Sequence, residues 1–332
     1  LGDDVFADDP SVNALQDHAA ELLGFEAALF APSGTQTNLI ALWGHCQRGD
    51  EAIVGQSWHT YRWEAGGMAV LGSIQPQPVE TQPDGTLRLA DIAAAIKPDD
   101  PHFARTRLVV LENTTGGQVL PPAYIAEVAQ LARSRGLAMH LDGARMFNAA
   151  TANAARNGTD VYDEARALCS HFDSASLCLG KGLGAPVGSL VLGSRDFIRQ
   201  ARRTRKILGG GMRQAGVLAA AGHYALQHHV RRLVEDHARL DRLAQGLAEA
   251  NRSHPALQGK ITVLPWQTNI LFTDLHAEVA PAFTAWLAQH GVRVTSSLYG
   301  GATRLRWVTH LDVSEADVTA ALDCVASFRL PG

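Results

Sequence analysis

The sequence predicts an α/β protein with a mostly parallel mixed sheet, helices on both faces, and a smaller C-terminal α/β domain. Short apolar runs typical of strands alternate with segments of helical periodicity up to about residue 209. A strongly helical stretch then covers residues 213–251, and short strands lie between helices in roughly the last 70 residues. Strands that alternate with helices indicate parallel pairing, because a parallel pair needs a crossover connection.

The length of 332 residues corresponds to roughly two domains, at about 150 residues each. We expect a large domain over residues 1–230, which includes an N-terminal arm, and a small C-terminal domain over residues 231–332. The helical stretch 213–251 is predicted to connect them as one long helix.

Helices are predicted where apolar residues recur at intervals of three and four. The first begins at Ser11 and stops before Gly24, which are typical start and stop residues. A second opens at Thr35, and a third opens at two prolines, which are favourable in a first helical turn. Besides the long stretch, the predicted helices cover residues 11–23, 35–46 and 121–135.

Strands are predicted where short apolar runs are bounded by turn residues. The runs 107–111 and 137–141 are predominantly apolar, as expected for strands buried on both faces of a parallel sheet. The other predicted strands are Ala27–Phe30, Ala175–Leu179, Ser189–Leu192, Asn269–Phe272, Arg293–Thr295 and Leu305–Val308.

Composition and charge exclude several classes of protein. A net charge of −4 and a pI near 6.4 argue against a general affinity for nucleic acids or anionic lipids. With 46% hydrophobic residues the chain is too apolar for a disordered protein, yet no apolar run is long enough to span a membrane. The cysteines Cys46, Cys169, Cys178 and Cys324 form no CxxC pair, which indicates reduced thiols and a cytoplasmic protein.

The turn formed by Ser33, Gly34 and Thr35 follows a predicted strand and opens a helix. The first N–H groups of a helix lack intrahelical partners and carry the positive end of the helix dipole, so they attract phosphate. The hydroxyl groups of Ser33 and Thr35 add donors. The alternative interpretation is an ordinary helix cap, and this motif alone leaves both open.

Asp142 and Lys181 follow predicted buried strands. Side chains at the carboxyl ends of parallel strands point into the crevice where open α/β sheets bind ligands. Lys181 lies in LGKGLGAPVGS, whose glycines allow a bulky group to approach the backbone but fit neither a phosphate loop nor a dinucleotide fingerprint. The alternatives are that Asp142 caps the next helix and that Lys181 is a surface residue of a flexible loop.

His59 lies among aromatic residues in GQSWHTYRWEAGG. A histidine in such surroundings is more often a core or stacking residue than a metal ligand. No second histidine or cysteine lies at ligand spacing, and we therefore predict no metal site. The sequence also contains no GxSxG nucleophile elbow.

These motifs together fit one cofactor, pyridoxal 5'-phosphate. A phosphate seat, an aromatic-sized stacking group in the segment around His59, a strand-end carboxylate at Asp142 and a lysine at Lys181 follow one another in that order. The lysine binds the aldehyde covalently, the carboxylate keeps the pyridine nitrogen protonated, and the helix start holds the phosphate. Each motif alone is weak, whereas their combination is much more specific.

Eight segments, in the same order, resemble those of the low-specificity L-threonine aldolases, which are pyridoxal-phosphate enzymes of the aspartate-aminotransferase fold (fold type I). The resemblance extends from Gly2 to about Val313. It implies a lyase that cleaves β-hydroxy-α-amino acids, among them L-threonine, L-allo-threonine and phenylserine, to glycine and an aldehyde. The segments are GDDVFADDPSVNALQ, APSGTQTNL, WHTYRWEAGG, LENTTGGQVLP, HLDGARMFNA, LGKGLGAPVGS, GGGMRQAG and RWVTHLDVS.

The resemblance implies a role for each matching residue. Lys181 carries the cofactor, Asp142 binds the pyridine nitrogen, and His59 stacks on the ring and is the leading candidate for the base. Ser33, Gly34 and Thr35 form the phosphate seat. Arg145 and Arg306 bind the substrate carboxylate, and Arg145 also lies near the phenolic oxygen of the cofactor. Lys206 and Arg213 reach the site from a neighbouring subunit. Such enzymes are usually homotetramers, assembled as dimers of dimers with shared active sites.

Two differences from the family bear on the substrate. Many relatives read LENTHN where this chain reads LENTTG, so Thr115 stands where a histidine meets the substrate hydroxyl. Relatives also carry an Arg-Ser-Asp segment whose serine helps to hold the carboxylate, and the sequence starts downstream of it at Leu1.

Three other functions remain open from the sequence. The same cofactor and fold also serve β-eliminating lyases and aminotransferases, which break a different bond. A non-catalytic ligand-binding protein is the third alternative, against which Lys181, Asp142 and Arg306 argue.

Overall fold

The computed structural model describes residues 2–297 and 301–330. The chain divides into an N-terminal unit, Leu1–Arg231, and a C-terminal unit, Arg232–Gly332. The strands of the N-terminal unit are β1 (Ala27–Ala31), β2 (Glu51–Gly55), β3 (Gln75–Val79), β4 (Thr106–Glu112), β5 (Ala138–Asp142), β6 (Ser174–Cys178) and β7 (Ser189–Gly193). Its helices are α1 (Pro10–Leu23), α2 (Gly34–His45), α3 (His59–Arg62), α4 (Gly67–Val70), α5 (Leu89–Ala95), α6 (Pro122–Ser134), α7 (Met146–Asn157), α8 (Val161–Cys169), α9 (Arg195–Ile207) and α10 (Gly216–His228).

The seven strands form one mixed sheet in the order β1-β7-β6-β5-β4-β2-β3. The neighbours from β3 to β6 pair in parallel, whereas β7 runs antiparallel to both β6 and β1. No helix lies between β6 and β7, so the chain turns back through residues 179–188 instead of crossing over. The predicted α/β class with a mostly parallel mixed sheet is confirmed.

The start of α1 differs from the prediction. The N-cap is Asp9 rather than Ser11, because the Asp9 Oδ1 atom accepts from the backbone N–H of Ser11 at 3.0 Å and of Val12 at 3.2 Å. Pro10 takes the first helical position, where its missing N–H costs nothing. Gly24 ends the helix as predicted, with φ of 78°.

The helical stretch 213–251 was predicted as one connector, and this prediction is wrong. It contains two helices, α10 and α11 (Leu233–Ser253), separated by residues 229–232. The ring of His229, at the C-cap of α10, donates its Nδ1–H to the carbonyl of Leu183 at 2.6 Å. The break coincides with the boundary between the two units.

The C-terminal unit has a sheet of its own, formed by β8 (Ile261–Val263), β9 (Ile270–Leu275), β10 (Thr295–Ser297) and β11 (Gly301–Val308). The order is β10-β11-β9-β8 and every pair is antiparallel. The helices α11, α12 (Ala280–Gln289) and α13 (Glu315–Ala326) share a buried core with this sheet, centred on Phe283 and Trp307. Within the described ranges, none of the helices combines the length and the apolar character needed to cross a membrane.

An N-terminal arm, residues 2–9, is attached to the end of α9, the start of α10 and the segment between them. Asp4 and Arg205 form an ion pair at 2.7 Å, and both side chains are almost completely buried. Asp3 pairs with Arg213 at 2.7 Å, and Asp9 accepts from the backbone N–H of Gly216 at 3.1 Å. A buried ion pair is costly to break, because the remaining partner keeps an uncompensated charge. The arm and this segment therefore form one local structure.

All four cysteines are free thiols, and three of them are buried. Burial raises the pKa of the Cys46 thiol to about 12, and it also raises the pKa of Cys169. Thiols that stay protonated at neutral pH are poor nucleophiles, so Cys46 and Cys169 are packing residues.

Candidate functional site

A small pocket of about 110 Å³ lies at the carboxyl edge of the parallel strands, beside the first turn of α2. Asp142 is the last residue of β5, and Lys181 lies in the loop between β6 and β7. The reversal of chain direction after β6 therefore brings the lysine to the same edge as the carboxylate. The lining residues are Gly34, Thr35, Asn38, His59, Asp142, Ala144, Ser176, Cys178, Lys181 and Ser189.

The start of α2 supplies backbone N–H groups to this pocket. Ser33 has extended backbone angles, and its side chain accepts from the backbone N–H of Gln36 at 3.2 Å. Ser33 is thus an ordinary N-cap, as the alternative interpretation held, and it is absent from the pocket lining. Gly34 and Thr35 are lining residues, and a Cβ atom added to Gly34 would meet nothing within 4 Å. This helix start has open space for an anion beside its donors.

Asp142 is buried, and both of its carboxylate oxygens accept hydrogen bonds. Oδ2 accepts from the side-chain amide of Asn38 at 2.9 Å, and Oδ1 accepts from the backbone N–H of Ala144 at 3.1 Å. The N-cap of α7 is Arg145, so Asp142 does not cap that helix, and this alternative interpretation is wrong. These two hydrogen bonds hold the Asp142 carboxylate in a fixed position at the pocket.

His59 begins α3 and is fixed by two carboxylates. Its Nδ1 lies 2.8 Å from Oε1 of the buried Glu64, and its backbone N–H donates to Glu112 at 2.5 Å. The hydrogen bond to Glu64 is the main cause that raises the pKa of His59 above its usual value. Because the ring donates its Nδ1–H to the Glu64 carboxylate, Nε2 carries the lone pair of the neutral ring.

Lys181 is half-buried in the loop between β6 and β7. This loop is closed by hydrogen bonds from the backbone of Gly184 to Lys181 and from Ala185 to Leu179, both at 3.0 Å. Gly188 has φ of 110°, and an added Cβ would approach the ring of Phe30 to 2.4 Å, so glycine is required there. These hydrogen bonds give the loop a defined shape and argue against the interpretation as a flexible surface segment.

Four other predicted residues of the N-terminal unit are not among the lining residues. Thr115 is buried after β4, where its methyl group occupies the space that a Cβ on Gly85 would need. Lys206 lies in the last turn of α9, and Arg213 pairs with Asp3. The fourth is Arg145, the N-cap of α7.

Arg306 lies in the C-terminal unit, in the middle of β11. It stands opposite Phe272 of β9 and Thr295 of β10 in the strand register, and it is half-buried. Its predicted role stays a prediction.

Two residues of this site, Asn38 and Glu64, were not predicted from the sequence. The amide of Asn38 donates to Glu64 at 2.8 Å and to Asp142 at 2.9 Å. One signal was available, because Asn38 follows Thr35 by one turn on the same helix. No sequence pattern indicated Glu64, because only the folded conformation of residues 59–64 brings its side chain to His59 and Asn38.

The ligand atoms of His59, Glu64 and Asp142 lie within 4.8 Å of one another, as the ligands of a metal ion would. The Nδ2 atom of Asn38 lies between the two carboxylates and donates to both. An amide in that position satisfies the carboxylates without a cation. The absence of a metal stays a prediction.

Comparison with known proteins gives consistent matches along the chain. Residues 1–268 match the family described as beta-eliminating lyase. The chain is 51% identical over 314 residues to the low specificity L-threonine aldolase of Escherichia coli strain K12. The match covers 95% of this chain and 88% of that protein. It is 40% identical over 332 residues to a probable low-specificity L-threonine aldolase 2 of Arabidopsis thaliana, covering 98% and 89% of the two chains.

Solved structures with similar folds include a threonine aldolase from Leishmania major. Its TM-score is 0.76 at 22% identity, and the match covers 95% of this chain and 87% of that chain. A putative L-allo-threonine aldolase from Listeria monocytogenes EGD-E matches with a TM-score of 0.73 at 19% identity, covering 98% and 88%. At these identities the likeness concerns the fold.

Proposed function

The chain belongs to the low-specificity L-threonine aldolase family, and from this premise we propose that it is a lyase that cleaves L-threonine and L-allo-threonine to glycine and an aldehyde with pyridoxal 5'-phosphate. One observation carries the proposal: a single pocket is lined by the start of α2, the carboxylate of Asp142, the imidazole of His59 and the amine of Lys181. Each group matches one part of that cofactor.

The donors and acceptors of the pocket fit this cofactor. The N–H groups at Gly34 and Thr35 would hold the phosphate, and Asp142 would accept from the pyridine nitrogen. His59 would stack on the ring, and Lys181 would attach to the aldehyde. Lys206, Arg213 and Arg145 would complete the site, the first two in a neighbouring subunit of a homotetramer. When bound, the cofactor supplies an electron sink for the charge that develops on the substrate α-carbon.

The protein contributes orientation and proton transfer. Arg145 and Arg306 are proposed to hold the substrate carboxylate, because planar guanidinium groups pair with carboxylates through two hydrogen bonds. A carboxylate held in this way would fix the orientation of the substrate, which would select the Cα–Cβ bond for cleavage in place of Cα–H. The Nε2 atom of His59, whose lone pair is kept available by Glu64, accepts the hydroxyl proton, either directly or through a water held with Thr115.

Product analysis tests the proposed reaction. Purified protein with added cofactor is incubated with L-threonine, L-allo-threonine and phenylserine, and glycine and aldehyde are measured in parallel. Equal amounts of glycine and aldehyde are expected. A keto acid with ammonia would indicate β-elimination, and dependence on an amino acceptor would indicate transamination.

Glu64→Gln is expected to move the acidic limb of the pH profile of kcat/KM to lower pH. The Glu64 carboxylate stabilises protonated His59 and so raises the pKa of that residue. A base must be unprotonated, so activity rises as the pH passes the pKa of His59. A neutral amide at position 64 removes the charge and lowers this pKa. The profile is measured from about pH 5 to about pH 9.

Glu127→Gln is the control, because Glu127 is exposed on α6. Its pH profile is expected to match that of the wild type. An acidic limb that stays in place in Glu64→Gln would exclude His59 as the group that sets it.

Arg306→Ala is expected to lower kcat/KM for L-threonine by about two to three orders of magnitude. Loss of one partner of a buried charge pair costs roughly 3–5 kcal/mol, at 1.36 kcal/mol per decade in rate. Because Arg306 is half-buried, the lower part of this range applies. Arg304→Ala is the matched control on the same strand, since Arg304 pairs with Asp274 through two contacts of 2.6 Å. Its kcat/KM is expected to change little. Unchanged kcat/KM in Arg306→Ala would remove this arginine from the site.

A further inference from the structure

A chain of buried and partly buried hydrogen bonds leads from the end of α2 to the two carboxylates. His45 Nε2 lies 2.7 Å from the hydroxyl of Ser174, which lies 2.8 Å from Nδ1 of His140. His140 Nε2 lies 3.3 Å from the carbonyl oxygen of the Asn38 side chain. Ser174 and His140 are completely buried, and Asn38 is 2% exposed. The mechanism proposed above uses none of these four residues.

The side chains of Asp142 and Glu64, at one end of this chain, determine which atom donates in each of its hydrogen bonds. The Asn38 Nδ2 atom donates to one oxygen of Asp142 and to one of Glu64, so the Asn38 atom facing both side chains is its NH₂ group. The Asn38 oxygen therefore faces His140, and His140 must carry its proton on Nε2. Ser176 Oγ lies 3.4 Å from the same nitrogen and can share that proton.

The other half of the chain follows from the protonation of His140. Burial lowers the pKa of His140 to about 3, so the ring is neutral at working pH and Nδ1 is an acceptor. In the tautomer with the proton on Nε2, Ser174 donates its hydroxyl proton to Nδ1. Its oxygen then accepts from His45, whose own pKa is lowered by burial to about 4. Every donor in the chain consequently points toward Asp142 and Glu64.

We propose that Asn38, held in one orientation by His140, is a positioning residue that fixes Asp142 and Glu64 relative to each other. It thereby aligns Asp142, the proposed partner of the ring nitrogen, with Glu64, which orients His59. This inference rests on the proposed function and adds to it a coupling between the two ends of the site. Asn38 donates to both carboxylates at once, so a rotated amide would turn its oxygen toward them and repel both. His140 prevents that rotation, because its Nε2–H offers a donor to the amide oxygen.

The neutral state of His140 is part of this arrangement. A positive imidazolium beneath the sheet would add a charge beside Asp142, whereas a neutral ring supplies one donor and one acceptor. Aligned neutral hydrogen bonds polarise one another, so the chain strengthens the donor that Asn38 presents to the carboxylates.

The first test uses the apoprotein and needs no cofactor. Side-chain ¹⁵N NMR of the histidines should find His140 and His45 as neutral Nε2–H tautomers that do not titrate between about pH 5 and about pH 9. A proton on Nδ1 of His140, or titration in this range, would overturn the directed chain.

The second test measures the affinity of the apoprotein for pyridoxal 5'-phosphate by absorbance titration. Asn38→Asp keeps the shape but replaces the donor with an acceptor, and it should weaken binding by about 10- to 100-fold. His140→Phe removes both ring nitrogens and should weaken binding by about tenfold. The pH at which the absorption band of the bound cofactor changes should also shift in both variants, since charges placed near the cofactor influence that pH.

Two further variants separate positioning from stability. His254→Phe removes another buried histidine, one that bonds the backbone of Ala256 and Ala326 in the C-terminal unit, and it should leave cofactor affinity unchanged. Ser174→Ala keeps the His140 ring but removes the hydroxyl group that fixes which ring nitrogen is protonated. Like His140→Phe, it should weaken cofactor binding. This variant serves as the test if His140→Phe does not fold.

The outcomes distinguish this inference from the function on which it rests. Wild-type affinity and an unshifted absorption band in Asn38→Asp and Ser174→Ala would overturn the positioning role while the proposed function stands. A wild-type apoprotein that does not bind the cofactor would overturn the proposed function, and the positioning role with it.

Discussion

Lys181→Ala is expected to abolish turnover of L-threonine and to leave the protein colourless after incubation with pyridoxal 5'-phosphate. Among the residues that line the pocket, Lys181 supplies the primary amine, and an alanine cannot attach to the cofactor aldehyde. Loss of a residue that forms a covalent bond in catalysis lowers kcat by about four orders of magnitude or more. Absorbance spectra of the dialysed protein and aldehyde release from L-threonine measure the two effects.

Lys260→Ala is the matched control for this substitution. Lys260 pairs with Glu278 in the C-terminal unit, and a surface pair of this kind contributes about 1 kcal/mol or less to stability. The control should stay yellow and active. A yellow, fully active Lys181→Ala protein would refute the assignment of the cofactor lysine.

Asp142→Asn is expected to lower kcat/KM by about two to four orders of magnitude. The substitution keeps the shape of the side chain but removes the negative charge that would hold a proton on the pyridine nitrogen, and without that proton the ring withdraws electrons poorly. A buried charge pair that loses one partner costs roughly 3–5 kcal/mol, at 1.36 kcal/mol per decade. Steady-state kinetics at saturating cofactor separate this effect from weaker cofactor binding.

Asp160→Asn provides the comparison for Asp142→Asn. Asp160 is the N-cap of α8 and pairs with Arg231, so its replacement changes a carboxylate of the same unit that does not line the pocket. A small loss of thermal stability with kcat/KM unchanged is expected. Activity of Asp142→Asn equal to that of the wild type would exclude Asp142 as the partner of the ring nitrogen.

Pocket residues could be predicted from the sequence where they directly adjoin the end of a predicted strand. Gly34, Thr35, Asp142 and Lys181 each adjoin a strand end, and strand ends of one parallel sheet meet at one edge. His59 was assigned through the family resemblance. Asn38 acts through contacts with residues far away in the sequence, and no local pattern identifies such contacts.

The fold was predictable where periodicity and burial agree. The apolar runs of β4 and β5 were identified, whereas β3 was missed because its sequence QPQPV is polar and contains two prolines. Prolines are tolerated there since β3 is the edge strand.

The break between α10 and α11 had no sequence signal. Residues 229–232 contain neither glycine nor proline, although Gly222 lies inside α10 without ending it. An added Cβ on Gly222 would approach Leu179 to 2.7 Å, so this glycine serves helix packing. Tertiary contacts, such as that of His229 with Leu183, decide where the helix stops.

The N-terminal arm limits how this protein can be re-engineered. Its aspartates contact Arg213 and Gly216, which are 210 and 207 positions downstream of Asp3 and Asp9. A chimaera that imports the GGGM segment from a relative therefore needs the matching arm from the same donor. By the same logic, a deletion within residues 2–9 removes contacts of that distant segment just as a substitution within the segment does.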